Sequence, residues 1–89
     1  MTICKHVYYS GRVQGVGFRY TAQGVASRFA VAGYVRNLSD GQVEIVAEGL
    51  ADQVEGFLAA VARRMAGYIE RTTEQDSIPS GLHGFRIRY

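Results

Sequence analysis

The stretch Gly11-Arg12-Val13-Gln14-Gly15-Val16-Gly17-Phe18-Arg19 marks where a strand-type run gives way to a helical period. Upstream of it, Ile3 to Arg12 is rich in β-branched and aromatic residues, among them Val7, Tyr8 and Tyr9, and predicts a strand. Downstream, Phe18, Ala22, Val25, Ala26 and Phe29 recur at helical spacing. They predict a helix with one apolar face running to about residue 29. A strand joined to a helix by a turn this rich in glycine is the first unit of the fold.

Working outward, Gly33 to Leu38 and Gln42 to Glu48 are β-type runs flanking Ser39-Asp40-Gly41, whose Asp-Gly is a hairpin signal, so they pair antiparallel. Val54, Phe57, Leu58, Val61 and Met65 predict a second amphipathic helix. Asp52 with Glu55 three residues on resembles a capping box at its start, and Gly67 is its expected stop. Beyond it, Tyr68 to Thr73 reads as a strand and Glu74 to Gly84 as a polar loop holding the only proline, Pro79. Phe85 to Tyr89 alternates as a terminal strand. The order β-α-β-β-α-β with one more short strand predicts an α+β fold. The architecture expected is a ferredoxin-like split β-α-β sandwich, an antiparallel sheet with two helices on one face.

The bulk properties narrow the function classes. At 89 residues the chain is expected to be one domain, 1–89, with room for one core. Ten Lys and Arg against eight Asp and Glu leave a net charge of +2, too small an imbalance to argue for a nucleic-acid or membrane partner. The lone Cys4 excludes an internal disulfide or a cysteine-rich metal site. No stretch approaches the roughly 20 apolar residues of a membrane span, and the N-terminus carries no apolar signal region, so a cytoplasmic protein is expected.

The chemistry implied by the opening stretch is anion binding. Glycines let consecutive backbone N–H groups converge, a following helix presents about half a positive charge at its N-terminus, and an arginine clasps oxygens bidentately. A phosphoryl group is the natural guest. The stretch is not a Walker A loop, since Val16 stands where its next glycine belongs and no Gly-Lys-Ser/Thr follows. Nor is it a dinucleotide fingerprint, because Tyr20 replaces the third glycine. Taken alone, a Gly-rich turn before a helix is most often an ordinary tight connection. Asn37, at a strand end before Asp40-Gly41, has the amide chemistry to orient a water, yet by itself Asn in such a place is most often turn chemistry.

Together the two segments resemble the acylphosphatase family. The first signature is met by Gly11, Val13, Gln14, Gly15, Val16, Phe18 and Arg19; Tyr9 departs from the aliphatic residue that opens it. The second is met by Gly33, Tyr34, Val35, Arg36, Asn37, Gly41, Val43 and Gly49. The likeness spans the chain through Phe85-Arg86-Ile87-Arg88-Tyr89. The resemblance implies hydrolysis of carboxyl-phosphate mixed anhydrides without a metal or other cofactor. In that scheme the backbone of Gln14, Gly15, Val16, Gly17, Phe18 and Arg19 cradles the phosphate, the Arg19 guanidinium binds its oxygens, and Asn37 positions the attacking water. Expected ligands are small acyl phosphates and inorganic phosphate, and a monomer is expected because neither helix shows a second apolar face.

Other residues carry less. His6 and His83 lack carboxylate or cysteine companions at ligand spacing, so no metal site is expected. Arg12, Arg36, Arg86 and Arg88 read as solvated or edge-protecting charges on strands. The same element order occurs in RNA-recognition domains, but the aromatic signature those carry on the third strand is replaced by Gln42-Val43-Glu44-Ile45-Val46-Ala47-Glu48. A module that binds phosphate without turnover is the other alternative, separable from an enzyme only by assay.

Overall fold

The computed structural model describes all 89 residues. Strand β1 spans Thr2–Gly11, helix α1 Phe18–Ala26, β2 Val31–Asn37, β3 Val43–Leu50, helix α2 Ala51–Arg64, β4 Ile69–Ser77 and β5 Phe85–Arg88. The sheet order is β4-β1-β3-β2-β5. Pairing is antiparallel for β1 with β3, β1 with β4 and β2 with β3, as expected of the ferredoxin-like arrangement. The terminal β5 is the exception, running parallel to β2 with Gly33 opposite Phe85.

Alternation along the strands builds the core. Val7 and Tyr9 of β1, Val35 of β2 and Val43, Ile45 and Ala47 of β3 are buried against Phe18, Ala22, Val25 and Ala26 of α1 and Val54, Phe57, Leu58 and Val61 of α2. Both helices therefore cover one face. Phe57 is an aromatic hub, lying 5.1 Å from Phe85 and 6.4 Å from Phe29 between ring centroids. Tyr9 packs at 5.0 Å on Phe18, so its departure from the aliphatic pattern is absorbed inside the core. Burial pushes its phenol pKa far up.

Several sequence expectations are corrected. Helix α1 ends at Ala26, so Phe29 reaches the core from the turn beyond the helix. The capping box does not form: the residue preceding α2 is Leu50, no side chain caps it, and Asp52 instead lies in the first turn, where the helix dipole favours an acid. The helix stops at Arg64, before Gly67. Strand β4 extends to Ser77, well into the segment expected to be loop, because backbone pairing with β1 holds it. It is an exposed edge strand, so no apolar alternation announces it.

The face away from the helices is organised by two buried carboxylates of β3. Glu44 accepts from Arg36 Nε at 2.6 Å and lies 3.6 Å from His6 Nδ1, so Arg36 has a buried partner that its strand position did not reveal. Glu48 accepts the backbone N–H groups of Ser80 (2.8 Å), Gly81 (2.8 Å) and Leu82 (3.1 Å) and thereby pins the segment leading into β5. Cys4 is buried on β1, and that burial together with the charge of Glu48 holds its thiol pKa up. No helix is long and apolar enough to cross a membrane.

Candidate active site

The residues singled out in the glycine loop and at the hairpin meet in space. Val13, Gly15, Gly17, Phe18, Arg19, Tyr20 and Asn37 line one cavity of about 210 Å³. Its floor follows from local backbone chemistry. At Ser10 and Gly11 the pairing of β1 with β4 shifts register, and Arg12 N–H is the last loop donor tied down, to Tyr68 O at 2.9 Å. Gly15 and Gly17 then take φ of 77° and 79°, a left-handed conformation that side-chain-bearing residues adopt only at a cost.

The consequence is a row of free donors. From Val13 through Tyr20 no backbone N–H donates to an acceptor within the protein. Gly17 precedes α1 with no side-chain cap, and the first turn of α1 holds no acid. The positive end of the helix dipole is therefore unneutralised and opens on the cavity. Such a row needs an external acceptor, and three or four oxygens on one centre supply it best.

Side chains complete the site unevenly. Arg19 pairs with no carboxylate within 4.0 Å; its guanidinium lies 4.8 Å from the centre of the Tyr89 ring, which leaves its N–H fork unpaired. Asn37 ends β2, and its amide forms no hydrogen bond within the protein. The Phe18 side chain is buried on Tyr9, and Val16, whose side chain packs against the core, is not among the residues that line the cavity. Gln14 is different again: its Nε2 donates to Leu38 O and to Gln42 O, each at 2.8 Å. The cavity lining offers no imidazole, thiol or carboxylate.

With this geometry in place the comparisons are decisive. A model of the family described as Acylphosphatase matches residues 5–87. The chain belongs to the acylphosphatase family. It is 43% identical over 84 residues to an acylphosphatase of Nostoc sp., covering 93% of this chain and 83% of that one. An acylphosphatase of Pseudomonas paraeruginosa is 41% identical, with 97% of this chain and 96% of the relative aligned. The crystal structure of acylphosphatase from Bacillus subtilis superposes with a TM-score of 0.88 at 36% identity over the full length of both chains. The same fold occurs inside a larger protein, HypF of T. kodakarensis, at a TM-score of 0.85 and 29% identity, where it accounts for 12% of that chain.

Within this acylphosphatase-family fold, Gly15, Gly17, Phe18, Arg19 and Asn37 line one cavity, whereas Gln14 and Val16 are not part of its lining. Sequence reasoning missed the side-chain role of Gln14, which has no local signal because both of its partners lie on the distant hairpin. It also missed Tyr20 and Tyr89, whose hydroxyls approach to 3.4 Å at the rim and whose rings were visible in the sequence only as isolated aromatics.

Proposed function

We propose that this chain hydrolyses acyl phosphates to a carboxylate and inorganic phosphate, working as a metal-independent acylphosphatase. The observation that supports the reading is one cavity lined by Val13, Gly15, Gly17, Phe18 and Tyr20, whose backbone N–H groups are unpaired, together with Arg19 and Asn37, whose side chains are free.

In this reading the phosphoryl oxygens accept hydrogen bonds from the backbone of residues 14–19 and from the Arg19 fork. The Asn37 amide holds a water in line with the P–O bond to the acyl oxygen. Attack forms the new P–O bond as the old one breaks, and its electron pair leaves with the carboxylate. The water gives up its proton to a phosphoryl oxygen of the substrate itself, since the cavity lining holds no carboxylate, imidazole or thiol to take it. Positioning and charge stabilisation suffice because the phosphoryl transition state is loose and the carboxylate is a good leaving group. The enzyme so described acts as a cytoplasmic monomer of one domain. Its ligands are small acyl phosphates and phosphate; it engages neither nucleic acid nor membrane.

The test is release of phosphate from acetyl phosphate by the purified protein with chelator present. Steady turnover, competitively inhibited by inorganic phosphate, is expected. A protein that binds phosphate but releases none from acetyl phosphate would be a binding module instead.

A further inference from the structure

The outer wall of the cavity leads to a second feature that the hydrolytic reading does not use. Tyr20 lines the active-site cavity and also a neighbouring depression of about 340 Å³ bordered by Thr21, Gly24, Val25, Arg28 and Arg64. A further hollow of about 200 Å³ shares Val25, Arg28 and Arg64 with it and adds Arg63. Tyr20 thus stands between the phosphate cavity and a pair of adjoining hollows that three guanidinium groups border, and together they make up the groove.

None of Arg28, Arg63 and Arg64 has a carboxylate within 4.0 Å. The negative end of the α2 dipole favours cations at Arg63 and Arg64, each by about 0.3–1 kcal/mol. That preference holds for any position in a last turn; it does not require side chains from two helices to border the same hollows with nothing between them. Gly24 is the independent sign that the groove is kept open. It sits inside α1 with an ordinary helical backbone, and a Cβ there would meet nothing within 4 Å. Neither strain nor crowding asks for glycine, which costs a helix interior up to about 1 kcal/mol against alanine. What the missing side chain leaves is a low floor between Tyr20 and Arg28.

We propose that this groove is the acyl-group subsite and that it selects acyl phosphates carrying a second anionic group at the far end of the acyl chain, a deepening that rests on the hydrolytic reading. Tyr20 and Gly24 lie four residues apart on α1, about 6 Å along the helix, and Arg28 follows two residues past its end. A guanidinium reaching back along the groove meets a carboxylate on a chain of about six carbons while the phosphoryl end occupies the cradle. Arg28 and Arg64 act on the remote charge only, so they set KM and leave the chemistry at phosphorus alone.

Three substrates separate the claims: acetyl phosphate, hexanoyl phosphate and adipoyl monophosphate, the last two equal in length but differing in the terminal carboxylate. The wild-type chain is expected to favour adipoyl over hexanoyl phosphate about tenfold in kcat/KM, through KM. Raising salt toward 1 M, where the screening length shrinks to about 3 Å, should erode that preference. The double variant Arg28→Ala/Arg64→Ala should abolish it while acetyl phosphate turnover is unchanged. Gly24→Glu, which sets a carboxylate in the groove, should reverse it. Equal wild-type rates for the six-carbon pair, or a preference surviving in the double variant, overturn the subsite while acetyl phosphate turnover keeps the hydrolytic reading intact. No turnover of any of the three overturns both.

Discussion

Gln14 Nε2 lies 2.8 Å from Leu38 O, and the same nitrogen donates to Gln42 O, so one amide from the glycine loop staples both sides of the β2–β3 hairpin. Two carbonyls as partners mean that the nitrogen, not the oxygen, must face them. The staple ties the row of cradle amides to the strand end that carries Asn37, one residue before Leu38. The two halves of the site are thus joined directly by side-chain hydrogen bonds.

Breaking that staple should uncouple them. Gln14→Glu sets an anion against two carbonyls and is expected to cut kcat more than tenfold, with stability down by about 1 kcal/mol, the scale of a lost hydrogen bond that water can partly replace. Gln14→Leu, similar in size but without the repulsion, should fall between that variant and wild type. Kinetics and thermal melts on the same preparations provide the measure, and unchanged kinetics in both variants would show the staple to be idle.

Arg19 and Asn37 should fail in different ways. Arg19→Ala is expected to lower kcat/KM at least a hundredfold and to weaken phosphate inhibition; Arg19→Lys should recover little, for an ammonium lacks the bidentate fork. Asn37→Ala should abolish turnover yet leave phosphate inhibition near wild type, since its partner is the water. Parallel measurement of turnover and phosphate Kd separates the two patterns.

Gly15 and Gly17 hold backbone conformations that a Cβ disfavours by about 1–2 kcal/mol each. A Cβ at either position has open space around it, so Gly17→Ala should be an almost purely conformational probe. The expected outcome is a loss of about that size in stability, phosphate affinity or both, read from melts with and without phosphate. Gly24→Ala, in the same helix segment with ordinary φ, should stabilise instead.

The Glu48 anchor predicts an acid limit. The N–H of Ser80, followed by those of Gly81 and Leu82, holds its carboxyl pKa below the ordinary 4.5 against the opposing effect of burial. A depressed folded-state pKa stabilises the protein fully above the unfolded value, and the contribution is lost as pH falls through the folded one. Stability should therefore decline below about pH 4.5, and the gap between wild type and Glu48→Gln should close at the acid end. Amide exchange at residues 80–82 reports the same event locally, and a constant gap across the pH range would remove Glu48 from the account.

Phe57 joins the two aromatic contacts of the core, to Phe29 and Phe85. Phe57→Ala is expected to cost about 3–5 kcal/mol, measured by denaturant titration, which for a domain of this size threatens folding itself. Tyr9→Leu, which restores an aliphatic residue at the opening of the glycine-loop motif, should cost less, because the leucine still fills part of the space beside Phe18 that the ring vacates.

What the sequence by itself determined was everything encoded locally. Helical spacing at Phe18 to Phe29 and Val54 to Met65 named both buried faces, Asp40-Gly41 named the hairpin, and Gly15, Gly17, Phe18, Arg19 and Asn37, among the residues singled out, line one cavity that Gln14 and Val16 do not. Only tertiary structure decided the features whose partners lie far along the chain. Strand β4 exists through its ladder to β1 and carries no apolar period of its own, so half of it read as loop. Helix α2 begins at Ala51 directly after Leu50, the last residue of β3, so an apolar side chain stands where a capping one would be. The parallel β5, the Glu48 anchor and the Gln14 staple are contacts between segments some 24 to 52 residues apart. A short-range pattern records which face of an element is buried; it does not record which distant carbonyl or N–H that element will meet.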